Sequence, residues 1–155
     1  MIYAAACDSA PDGDDVEPVD LDWEWGGNLN RCREPGDVDA AFDRGEERVG
    51  VALIALVYNS PDTDAVLPRV AMGLRSPNPE TRRQSLLALA HTARLHGRVD
   101  AITLELLHDL LYDCTPISVG SPYEVRGTAT QTVGDLQAFL PSEQLPDWIN
   151  HFADY

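Results

Sequence analysis

Four histidines, three cysteines and a set of arginines are the residues of this sequence whose side chains could do chemistry. His91 and His96 lie in "PETRRQSLLALAHTARLHG". Five residues on a helix turn them roughly 140° apart, so they do not chelate one metal as an i, i+4 pair would. His108 precedes Asp109 on the outer face of an amphipathic run, and His151 follows in the last stretch of the chain. Neither stands beside a nucleophile or acid at a spacing that marks a catalytic pair. Cys7, Cys32 and Cys114 are odd in number, far apart and without CxxC spacing. Three ordinary thiols are expected, rather than a disulfide framework or a zinc site. Ser121 in "VGSPY" lacks the second glycine of a GxSxG elbow and precedes a proline, and "WGGN" has adjacent glycines without the GxGxxG pattern. All eleven cations are arginine, because the chain contains no lysine. That removes P-loop, Schiff-base and lysine general-base mechanisms. The reading is a non-enzyme, with no cofactor and no metal.

The charge is large and uneven. The net value is −15. Residues 1–30 hold eight acids and no arginine, whereas residues 66–98 hold six arginines against Glu80 alone. Such an acid excess repels nucleic acid and an anionic membrane surface, and it accelerates encounter with a basic partner. General solubility is the competing reading of the same number. No apolar run approaches the roughly 18 to 20 residues of a membrane span. "MIYAAAC" puts only six residues before Cys7, with no basic segment, too little for a lipoprotein signal. A soluble, cytoplasmic protein is expected, with a protein partner and neither nucleic acid nor membrane.

The elements that must carry these residues are helical. Asn78 is a candidate N-cap, Pro79 the first helical residue and Glu80 an acid in the first turn. Ser85, Leu86, Leu89, Ala90 and Ala93 then follow one helical face, and Gly97 stops the helix. "AVLPRVAMGL" (65–74) is a shorter apolar-faced helix upstream, so the two make a helical hairpin. "DAITLELLHDLLYD" (100–113) is amphipathic through Ile102, Leu106, Leu107, Leu110 and Leu111, and "YEVRGTATQTVGDLQAFL" follows a loop with Pro116, Gly120 and Pro122. Sliding the long helix forward places Glu80 on Glu124, Arg82 on Arg126, Ser85 on Ala129 and Leu89 on Val133. A weaker upstream copy sets Glu47, Arg48, Val51, Ala52 and Leu56 against Thr81, Arg82, Ser85, Leu86 and Ala90, with "DVDAAFDRG" (37–45) before it. Periods in this range mean stacked supersecondary units, none able to bury its apolar face alone.

On "LPRVAMGLRSPNPETRRQSLLALA" and "SPYEVRGTATQTVGDL" the sequence resembles the HEAT-repeat family, over roughly residues 36–140. Thr81 replaces the family's usual valine, and Val125 restores it. The order of "RGEERVGVALIALVYNSPD", the Ser76–Asp100 block and a final "VRG" helix is also similar to small bacterial HEAT-like proteins often associated with toxin–immunity loci. The resemblance implies an all-α fold: a short right-handed HEAT-like α-solenoid of about three helical hairpins. The acidic N-terminal segment departs from that family's pattern, and the organisation expected is an acidic N-terminal arm or β-hairpin cap (1–34), helical repeats (35–140) and a C-terminal capping helix or tail (141–155). The resemblance also implies that Arg82 and Arg126 are structural, each tying helix-end carbonyls or an acid at a repeat junction, which a five-donor guanidinium suits.

The N-terminal segment departs from helical periodicity. "VDLDWEW" (19–25) alternates, with Val19, Leu21, Trp23 and Trp25 on one side and Asp20, Asp22 and Glu24 on the other, which reads as a strand, with "MIYAAAC" its candidate hairpin partner. Such an arm either caps the apolar end of the stack or offers aromatic anchors and charge to a partner. The function expected from these readings is an immunity protein that binds and occludes a basic, nuclease-like bacterial toxin. Asp20, Asp22, Trp23, Glu24 and Trp25 are its candidate contacts, with Arg83, His91 and Arg94 behind them. Two other classes compete: a HEAT-like accessory subunit or scaffold of an enzyme, and nucleic-acid binding through the 66–98 block, as in HEAT-like DNA glycosylases.

Overall fold

The computed structural model describes residues 19–153, and among these the ordered elements are helices with no strand. A 3₁₀ turn at Leu29–Arg31 precedes α1 (Pro35–Arg44), α2 (Val49–Asn59), α3 (Thr63–Leu74), α4 (Pro79–His96), α5 (Ala101–Leu110) and α6 (Val125–Phe139). A second 3₁₀ turn at Ser142–Gln144 and the single-turn α7 (Asp147–Asn150) follow.

Local signals set the helix ends. The Asn78 side chain accepts from the Glu80 amide at 3.0 Å at the start of α4, and Gly97 (φ 68°) takes the left-handed turn that closes it. α5 opens on a capping box, in which Asp100 Oδ1 accepts from the Thr103 amide at 2.8 Å and Thr103 Oγ1 faces the Asp100 amide. Asp62 caps α3 by accepting from the Ala65 amide.

The helices form two layers. α2 packs on α4 and α4 on α6, while α1, α3 and α5 line the other side, with α3 laid closely on α4. Leu53, Leu56, Leu67, Leu74, Leu86, Leu89, Leu107 and Leu136 lie between the layers, each less than 2% exposed. Burying each contributes about 1.5–3 kcal/mol of transfer free energy. Two glycines let neighbours approach α4 closely. A Cβ on Gly73 of α3 would lie 2.9 Å from Ser85 Cβ, and one on Gly50 of α2 would lie 2.6 Å from Gln84 Cβ.

Both ends of the stack are covered. At one end Leu29 and Cys32 are buried against α2, Leu21 and Trp23 pack beside them, and Asn59 Nδ2 donates to the carbonyls of Asn30 (2.9 Å) and Cys32 (2.8 Å). At the other, Leu140, Leu145 and Ile149 are buried with Trp148 and Phe152 around them, and Gln137 Nε2 donates to the Ile149 carbonyl at 2.6 Å.

Three expectations change. Val19–Trp25 is not a strand: Asp22 folds 23–25 into a turn, so Trp23 goes inward while Trp25, 75% exposed, goes outward. The proposed hairpin partner at 1–7 lies outside the described residues. In α5 the buried face runs through Thr103, Leu107 and Leu110, and Ile102 is 52% exposed, because the capping box fixes Thr103 inward at the start of the helix. In α2 the buried residues are Val49, Gly50, Ala52, Leu53, Ala55, Leu56 and Val57, and Val51 is exposed. The copy therefore aligns one residue away from the expected register: Ala52, not Val51, corresponds to buried Ser85. The cross-helix pairs Tyr58 with His91 and Thr63 with His96, each 33 apart in sequence, follow that corrected spacing.

Candidate functional site

The arginine-rich block is largely neutralised from within. Arg69 forks onto Asp39 of α1, with Nε–Oδ1 at 3.0 Å and Nη2–Oδ2 at 2.7 Å. Arg82 reaches Asp113 (2.9 Å) and the Ser76 carbonyl (2.8 Å). Arg83 pairs with Glu80 in the same helix, and Arg98 pairs with Asp64. Asp39, Asp113 and Asp64 come from other elements and Glu80 from α4 itself, none from residues 19–24, so four of the six arginines in the block are ion-paired within the fold.

Of the five arm residues, the structure separates three roles. Asp22 is spent on its own loop: Oδ1 accepts from the Trp25 amide at 3.0 Å, Oδ2 from the Gly27 amide at 3.3 Å, and its amide donates to Asn28 Oδ1. The Trp25 amide holds its carboxyl below the usual aspartate value against some burial. Trp23 is half-buried with the Arg44 guanidinium 5.8 Å from its ring centroid, a cation–π contact beside a groove of about 240 Å³ that Val19, Asp20 and Asp37 also line. Asp20, Glu24 and Trp25 remain exposed, although the Glu24 carbonyl accepts from Arg48 Nε at 3.3 Å.

Arg83 shares a shallow groove of about 670 Å³ with Glu80, Tyr123, Glu124 and Arg126. Arg126, 55% exposed, pairs with Glu124 at 2.6 Å. It thus differs from Arg82, which is 14% exposed and spans two elements. The loop between α5 and α6 is held by backbone bonds from Val125 to Thr115 and from Arg126 to Asp113, and it carries Val119 fully into solvent.

His91 and Arg94 are brought together, and with them Tyr58, which sequence reading had not singled out. Arg94 Nη2 donates to Tyr58 Oη at 2.8 Å and to His91 Nδ1 at 3.2 Å, and Tyr58 Oη lies 3.3 Å from the same Nδ1. The Tyr58 and His91 rings are 5.1 Å apart, and the guanidinium lies 5.7 Å from the tyrosine centroid. Burial and the Arg94 charge hold His91 below its ordinary value of 6.5, against a weaker pull from Asp135 on α6. Only the i, i+3 spacing of His91 and Arg94 hinted at this group; Tyr58 had no local signal, since its place depends on how α2 lies on α4.

The other candidates are structural or solitary. His96 bridges the Val57 carbonyl (2.9 Å) and Thr63 Oγ1 (3.2 Å), and the His108 ring lies 4.5 Å from that of Trp148, tilted by 44°. The Cys32 thiol is pushed up to about 11 by burial, and Cys114 is exposed. Among the described residues no three His, Cys, Asp or Glu side chains are grouped to hold a metal, and no helix is long and apolar enough to cross a membrane. Set against protein-family models, curated proteins and solved structures, the chain matches none.

Proposed function

We propose that this chain is a protein-binding module, a short HEAT-like α-solenoid that occludes a basic protein, in the manner of a cytoplasmic immunity protein directed against a basic, nuclease-like bacterial toxin. The observation that carries the reading is where the arginines go. With 26 acids against 11 arginines the chain carries a net charge of −15, and Arg69, Arg82, Arg83 and Arg98 are tied to carboxylates of its own, so they are not free to gather into a basic surface. An acidic surface on a tightly packed helical scaffold favours rapid encounter with a basic partner over phosphate contact. The same internal pairing weighs against nucleic-acid binding through residues 66–98.

Within the arm, Asp20, Glu24 and Trp25 are the contacts that remain free to act. Asp22 and Trp23 serve them indirectly, by shaping the turn and anchoring it on α1. The test is affinity purification of the full chain from a lysate of the organism that encodes it, followed by reconstitution with the protein recovered. The reading expects one stoichiometric basic protein whose association rate falls steeply with ionic strength, and falls again in Asp20→Asn/Glu24→Gln. A partner that is acidic, or an association rate indifferent to salt, would sink it.

A further inference from the structure

Among the described residues Arg31, Arg48, Arg75 and Arg94 form no ion pair, and Arg94 differs from the other three in being held by two neutral side chains. None of the described carboxylates lies within ion-pair distance of Arg94, although acids outnumber arginines more than twofold in the chain. Its guanidinium is instead held by two neutral acceptors, Tyr58 Oη and His91 Nδ1, and lies near the tyrosine ring. Neutral acceptors fix its direction without cancelling its charge. A guanidinium held this way loses little rotamer entropy when it takes an anion on its remaining Nε–H and Nη1–H groups.

The histidine tautomer follows from the same contacts. An arginine N–H only donates, so His91 Nδ1 must accept, and the neutral ring carries its proton on Nε2, on the side away from Arg94. The group therefore offers the unused guanidinium N–H groups beside a half-exposed tyrosine, with one net positive charge. Tyr58 is 52% exposed, and Arg94 is exposed as well.

We propose that Tyr58, His91 and Arg94 form a recognition site for a single carboxylate, which Arg94 contacts and which Tyr58 and His91 serve by holding the guanidinium in place. One uncancelled charge matches a monoanion, and the strongly acidic chain, with Asp135 on the adjoining helix, opposes a dianion such as phosphate. The site stands apart from the acidic-surface reading and survives or fails without it.

The experiment is a titration of the full-length protein with acetate, with N-acetyl-aspartate N-methylamide, and with sodium chloride at matched ionic strength. Guanidinium and imidazole nitrogen signals are followed by NMR. Saturable shifts of the Arg94 and His91 signals are expected with both carboxylates and not with chloride. Tighter binding of the blocked aspartate assigns the site to a protein side chain, and equal binding assigns it to a free small acid. Arg94→Gln should abolish saturation, and Tyr58→Phe should weaken it about threefold by releasing the guanidinium. Arg98→Gln, which alters an exposed arginine paired with Asp64, should leave it unchanged. The proposal is overturned if chloride gives the same shifts, if Arg98→Gln weakens binding as much as Arg94→Gln, or if inorganic phosphate binds more tightly than acetate.

Discussion

The α3–α4 pair and the α5–α6 pair begin from matching sequence, yet the molecule builds one tightly and the other loosely. In both, an arginine opens the second helix, Arg82 or Arg126, and a small buried residue follows three positions later, Ser85 or Ala129. Four residues, Arg75 to Asn78, join α3 to α4, and Gly73 lets the Ser85 side chain against the α3 backbone. Arg82 is then covered by the segment that follows α5, which delivers Asp113 to it. α6 has the longer loop 111–124 before it and only the short C-terminal turns after it, so Arg126 finds its partner in Glu124, two residues away, and stays exposed. The lesson is that a repeat motif does not fix the role of its arginine. What the next element brings to it does.

The largest effect should come from closing the gap that makes the tight pair possible. In Gly73→Ala the new methyl would press on Ser85 Cβ at 2.9 Å and on Leu53 Cδ2 at 3.0 Å, both inside the core. Overpacking of this kind should cost about 3 kcal/mol, read as a lowered urea midpoint with an unchanged slope. A loss below about 1 kcal/mol would mean that α3 and α4 are not held as closely as the structure places them.

Arg82→Ala comes next. It removes two hydrogen bonds and leaves the Asp113 carboxylate and the Ser76 carbonyl short of a donor in a largely buried place, at about 2 kcal/mol. Asp113 also makes this junction sensitive to acid. Burial alone would raise its carboxyl, but the Thr115 hydroxyl and amide together with Arg82 outweigh that and hold it below the ordinary 3.8. A depressed carboxyl contributes stability that is present above pH 3.8 and is lost as the pH falls from there through its folded-state value. Asp113→Asn should therefore be less stable than wild type at pH 6, with the difference shrinking as the pH drops below 3.8. Parallel stability curves for the two proteins would remove Asp113 from the junction's energetics.

How much of this was legible differs between backbone and site. α4 could be read end to end, because Asn78, Pro79 and Gly97 act on residues beside them. The register of α2 slipped by one, because a helix so rich in apolar residues shows little contrast between its faces. Trp23 and Trp25 alternate like strand neighbours, but the Asp22 carboxylate accepts two amides and turns the chain, an outcome that period-two counting does not detect. Tyr58 meeting His91 and Arg94 is legible only once α2 lies on α4, since no local property of Tyr58 distinguishes it from any exposed tyrosine.

The loose pair yields the smaller effects, and their signs separate it from the tight one. Gly127 and Gly134 sit inside α6 with open space where a Cβ would go. Gly134→Ala should thus stabilise the protein by about 0.5–1 kcal/mol through helix propensity and a less flexible unfolded chain, opposite in sign to Gly73→Ala. A loss on Gly134→Ala would place a neighbour against α6 that the fold does not contain. Arg126→Ala should change least, under about 0.5 kcal/mol, because a mostly exposed pair between near neighbours is screened by water and salt. The decisive comparison is Arg82→Ala against Arg126→Ala in one buffer. If both cost the same, burial and the reach to Asp113 do not set the difference, and the arginine would be acting through the start of its own helix in each repeat.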